Sequence, residues 1–150
     1  RDYAASHSIF ASLAAACAAQ LGAVWSYGDD GHPIRYHTDC GVLTNNFLIT
    51  PQHRRKMAEA GEYLAMTPRQ FVDAAPHLRY VLVRMVQLFE HTADGLRSRT
   101  ASEVAARNAP LFVALTFDDN LPSEYRLVDE LRLDDERTFP YIRVFEIVRE

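Results

Sequence analysis

The hydrophobic period changes along this chain, and that change limits the folds open to it. Ile9, Phe10, Leu13, Cys17 and Leu21 recur at three- and four-residue steps, the spacing that stacks side chains on one face of a helix. Leu111 to Phe117 and Phe139 to Val148 are instead short, nearly unbroken apolar runs, as expected of strands covered on both faces. With 48% hydrophobic residues among 150, such a chain holds material for one core that mixes helices and sheet. We therefore expect a single α+β domain over residues 1–150, with an antiparallel sheet packed against a long central helix and several shorter helices.

The first helix should run from about Tyr3 to Gln20 and end before Gly22. Ala23 to Tyr27 and Pro33 to His37, separated by Gly28-Asp29-Asp30-Gly31, read as a hairpin. Asn45-Asn46 leaves room for at most a short strand over Phe47 to Thr50. Thr50-Pro51 and Thr67-Pro68 each place a hydroxyl cap before a proline at the first helical position, and Gln70 completes a capping box with Thr67. Leu82, Met85, Val86, Phe89, Ala93 and Leu96 suggest that the long helix spans Leu78 to Arg99, with Arg84, Gln87, His91 and Asp94 on another face. A further helical turn is expected from Thr100 and Glu103 to Asn108-Ala109-Pro110, and a short helical segment after Ser123. The opening helix followed by AVWSYGDDGHPIRYH resembles the start of a GAF-type or related sensor domain over about the first quarter of the chain. The helix-rich middle departs from that family, and no binding residues are carried over.

Charge narrows the partners. Residues 1–110 carry 11 basic and 10 acidic side chains, and residues 111–150 carry 5 basic and 10 acidic. A pI near 5.9 without a dense basic stripe argues against nucleic acid, whose phosphates are held by clustered cations. The apolar run from Ile9 to Val24 falls short of the roughly 20 residues that span a bilayer, so no membrane association is expected. Two cysteines, Cys17 and Cys40, in a chain with this much apolar material look unlike a disulfide scaffold, which favours a reducing, cytoplasmic setting.

Chemistry concentrates at Arg35-Tyr36-His37-Thr38-Asp39-Cys40-Gly41. A thiol beside an imidazole and a carboxylate is the raw material of an activated nucleophile, with Cys40 attacking and His37 and Asp39, or a distant His53, His77 or His91, assisting. The same residues are competent zinc ligands, but the paired spacing of zinc sites is absent, and no metal or cofactor is expected. A second concentration is His53-Arg54-Arg55-Lys56, in the first two turns after Thr50-Pro51. Cations at a helix N-terminus oppose the macrodipole unless an anion or an acidic surface sits there. Of the 16 basic residues, Lys56 is the one lysine. Asp118-Asp119-Asn120 and Asp134-Asp135-Glu136-Arg137 read as turns, although carboxylates after a strand also suit magnesium or acid–base work.

There is no phosphate loop, dinucleotide fingerprint, nucleophile elbow or zincin pair. The reading that follows is a non-catalytic binding or interaction domain that recognises a protein or a small anionic ligand through His53, Arg54, Arg55 and Lys56. The alternative is a small Cys/His enzyme of acyl-transfer or deamidation type built on Cys40, His37 and Asp39, and a third reading is a small-molecule sensor pocket between helix and sheet.

Overall fold

The computed structural model describes residues 2–26, 30–43, 50–84, 87–100, 110–132 and 140–149. Among these, five helices and seven strands follow one another as α1 (Asp2–Ala19), β1 (Ala23–Trp25), α2 (Gly31–His37), β2 (Gly41–Val42), α3 (Pro51–Tyr63), α4 (Pro68–Ala74), β3 (Leu78–Arg84), β4 (Gln87–Thr92), β5 (Gly95–Thr100), α5 (Pro110–Phe117), β6 (Tyr125–Arg132) and β7 (Pro140–Ile147). Five strands form one sheet in the order β2-β1-β3-β7-β6, and β4 and β5 form a separate two-stranded ribbon.

The sheet is mixed rather than antiparallel. β1 runs parallel to both β2 and β3, while β7 is antiparallel to β3 and to β6. Parallel neighbours need a crossover, and α2 supplies the one between β1 and β2. That replaces the hairpin expected at Pro33 to His37. Proline is tolerated at Pro33 because the first-turn N–H groups of a helix have no intrahelical acceptor. Arg84 Nη2 lies 2.8 Å from Asp30 Oδ1 and ties the start of α2 to the end of β3.

Both faces of the sheet are covered. On one side, Ile9, Phe10, Leu13 and Cys17 of α1 and Ile34 of α2 pack with Val24, Tyr80, Leu82, Ile142 and Val144. On the other, Tyr63, Phe71, Val72, Leu111, Phe112 and Leu115 pack with Trp25, Val81, Val83, Phe145 and Ile147. Successive residues of β3 and β7 therefore face opposite cores, which explains their continuous apolar character. Tyr80 Oη reaches through the first core to the end of α1, 2.6 Å from Gln20 O and 3.0 Å from Ala16 O, which also accepts from Gln20 N.

Three expected elements change type. Leu78 to Arg99 is not a long helix but β3 followed by the β4–β5 ribbon, whose turn ends at Gly95 with φ 111°, a conformation glycine adopts without strain. The stripe expected through Leu82 to Leu96 does not form one helical face, because Leu82 lies in β3, buried on both faces of the sheet, and Phe89 and Leu96 lie in different strands of the ribbon. Leu111 to Phe117 is helical: Leu111, Phe112, Leu115 and Thr116 are the buried positions, a helical spacing hidden by an apolar composition on every side. After Ser123 the chain turns directly into β6. The helix starts at Thr50-Pro51 and Thr67-Pro68 are as expected: Thr50 Oγ1 accepts from His53 N, and Thr67 and Gln70 form the reciprocal box. The short strand at Phe47, the turn around Glu103 and the segment Asp134 to Arg137 lie outside the described residues. Among the described residues no helix is long and apolar enough to cross a membrane.

Candidate functional site

The Cys40 segment does not assemble a nucleophile. Cys40 is disulfide-bonded to Cys17, linking the chain just before β2 to α1, and both are buried in the α1-side core. In this state Cys40 has no thiolate, so the nucleophile reading requires the bond to be reduced first. The expectation of two free thiols fails for a geometric reason: β1, α2 and β2 fold back along α1 and bring residues 23 apart in sequence to a Cα–Cα distance of 5.6 Å. His37 stacks on Phe10 at a ring separation of 5.6 Å, with His7 and Tyr36 edge-on to it. Asp39 is exposed.

The second candidate segment is divided by its helix. His53 and Lys56, one turn apart on α3, line a cavity of about 320 Å³ at the β2 edge of the sheet. Arg54 and Arg55 are exposed and do not line it. Ala23 of β1 and Leu43 next to β2 are the apolar side chains that line it on the α3 side of the sheet, and Gln52, His53, Lys56 and His77 are the polar ones. His77 comes from the turn between α4 and β3. Arg149 fixes that turn by donating from Nη1 to Leu78 O at 2.7 Å and from Nη2 to Ala75 O at 2.7 Å and Val72 O at 3.2 Å.

Glu59 bridges Lys56 and His77, two of the polar residues that line this cavity. Its Oε2 is 3.3 Å from Lys56 Nζ, and its Oε1 is 3.2 Å from His77 Nε2 and accepts from Tyr63 Oη at 2.8 Å. The Tyr63 hydrogen bond, followed by Lys56, holds the Glu59 carboxyl below its ordinary range. Burial, reinforced by Glu59, pushes the Tyr63 phenol up to about 12. Lys56 remains 44% exposed, and ion pairs at such exposure contribute about 0–1 kcal/mol, so a bound anion can compete with Glu59 for the ammonium. Backbone capture of an anion is a weaker prospect here than the sequence suggests. Of the first three helical residues of α3, Pro51 has no N–H and the His53 N–H is already 3.2 Å from Thr50 Oγ1, so side chains must do the binding. His53 Nδ1 is enclosed and, among the described residues, has no hydrogen-bond partner.

No protein-family model matches the chain, and no curated protein or solved structure is significantly similar to it. The likeness of the first quarter to GAF-type sensor domains gains nothing from these comparisons, and α2 stands where that reading had a hairpin.

The acidic turn at Asp118 and Asp119 has a structural use. Arg143 of β7, 5% exposed at its side chain, contacts Asp119 Oδ1 at 2.9 Å and Glu130 Oε2 at 3.1 Å, and donates to Asp118 O at 2.9 Å. It anchors the end of α5, not of a strand, and among the described residues no group of three metal-competent side chains converges. Arg84 pairs with Asp30 and shares no helical face with Gln87, His91 or Asp94. Sequence reading named His53 and Lys56 but missed Glu59, Tyr63 and His77 as their company. The spacing of Lys56, Glu59 and Tyr63, three and four residues apart, carried a usable signal; His77 joins only through the tertiary fold.

Proposed function

We propose that this chain is a non-catalytic binding module for a small anionic ligand held in the cavity between α3 and the β2 edge. The supporting observation is convergence: the chain's one lysine, two imidazoles and a glutamine line one half-open cavity together with apolar residues of the sheet edge. Lys56 supplies the fixed positive charge, and Gln52, His53 and His77 supply hydrogen bonds. An enclosed nitrogen without a partner costs about 1–3 kcal/mol, and a turn of the His53 ring toward a bound acceptor recovers that cost. The exposed Arg54 and Arg55 extend the positive field outside the cavity and assist encounter. We place the protein in an oxidising compartment rather than the cytoplasm, because disulfides persist in the former.

Lys56 offers a direct test. Reductive methylation with isotope-labelled formaldehyde retains the charge and gives one side-chain signal in the magnetic resonance spectrum, separate from that of the chain's amino terminus. Titration with acetate, inorganic phosphate and benzoate at fixed ionic strength is expected to move that signal saturably with at least one of them, and His53→Asn is expected to weaken the response. If none of the three saturates, the proposal is wrong.

A further inference from the structure

Resting on the anion-binding reading, the geometry points to a narrower ligand class: a monocarboxylate that carries a small apolar group. Ala23 and Leu43 give the cavity an apolar wall, and His53, Lys56 and His77 give it polar groups. A bare inorganic anion would leave the apolar wall unused, while a neutral apolar ligand would strand the cation.

The charge inventory separates carboxylate from phosphate. Lys56 is offset by Glu59 at 3.3 Å, which leaves imidazoles and an amide as the remaining partners in the lining. Phosphate dianions are held by arginine forks or by several free backbone N–H groups. Among the described residues the lining contains no arginine, and at the start of α3 Pro51 lacks an N–H while that of His53 is taken by Thr50. One carboxylate, with one negative charge and two acceptor oxygens, matches Lys56 and a single imidazole. At about 320 Å³ the space is at the small end of ligand pockets, which run from roughly 300 to 1,000 Å³, so the apolar group is a few carbons and not a long acyl chain. The wall is also suitable for it. Leu43 is buried and Ala23 packs against the same core, so both are already fixed and lose little freedom when a ligand lands on them.

The experiment is a ladder of straight-chain carboxylates from acetate to butyrate, with isovalerate, benzoate and inorganic phosphate, each titrated against the labelled Lys56 signal at constant ionic strength. Each methylene moved out of water onto the wall is expected to tighten binding by about fourfold until the cavity is filled. Saturable acetate binding with a flat ladder, or phosphate binding more tightly than every carboxylate, overturns the monocarboxylate assignment and leaves the anion-binding reading standing. Absence of saturable binding by any probe removes both.

Discussion

Reducing the Cys17–Cys40 bond isolates the contribution of that link, because it breaks the crosslink while keeping two buried side chains of nearly the same volume. The bond joins positions 23 residues apart. Treated as a restriction on the unfolded chain, a loop of that size corresponds to about 3.4 kcal/mol at 25 °C. For a chain of about 150 residues each kcal/mol moves the midpoint of thermal unfolding by about 2–4 °C, so reduction is expected to lower it by about 7–14 °C. Trp25, the one tryptophan, is 4% exposed in the core on the far side of the sheet, and its fluorescence reports global unfolding rather than events at the bond. Urea unfolding of the oxidised and reduced protein, followed by this fluorescence and by circular dichroism, checks the figure. A difference below about 1 kcal/mol with coincident transitions would refute the entropic reasoning, and two thiols reacting with alkylating reagent before any reductant is added would refute the bond itself.

Other perturbations separate the supports of the cavity. Arg149→Gln removes a guanidinium that holds three carbonyls around His77; charged hydrogen bonds are each worth about 1.5–3 kcal/mol, and a loss of about 2–4 kcal/mol in urea unfolding is expected. Gly22→Ala would bring a methyl group to 2.6 Å from Arg79 Cβ, and overpacking of this kind costs about 1–3 kcal/mol, readable as a lower melting temperature. Because burial raises the Tyr63 phenol to about 12, its stabilisation is complete below about pH 10, where the unfolded phenol ionises, and is lost as pH rises through about 12. Tyr63→Phe is expected to flatten the alkaline fall in urea midpoint without abolishing it, since burial pushes Tyr80 and Tyr125 in the same direction.

Local rules read the helix starts correctly and failed where burial on two sides erased periodicity. Thr50-Pro51 and Thr67-Pro68 were legible because a cap, a proline and a box act within four residues. α1 was legible because its core positions alternate with exposed ones. β3 and α5 exchanged identities because each is apolar nearly all round, and in such a segment neither a period of two nor one of 3.6 stands out. Length did not separate them either: β3 has seven residues and α5 eight. At the site, His53 and Lys56 were legible but came grouped with Arg54 and Arg55, which point elsewhere because α3 rotates successive residues onto different faces. Cys40 was conspicuous for its neighbours in sequence, yet its partner was Cys17, across the helix–sheet interface.

The strand order carries a consequence for how the protein is made. β7 follows the other sheet strands in the chain, yet it lies between β3 and β6 and supplies Ile142 and Val144 to one core and Phe145 and Ile147 to the other. Until residues 140–147 leave the ribosome, β3 presents an unpaired edge and β6 has no neighbour in the sheet. Growth from the amino terminus therefore cannot complete either core, and the nascent chain must wait, with apolar β3 and α5 uncovered, for its final insertion. A ribosome-bound chain halted before Pro140 should bind holdase chaperones, and one released after Ile147 should not.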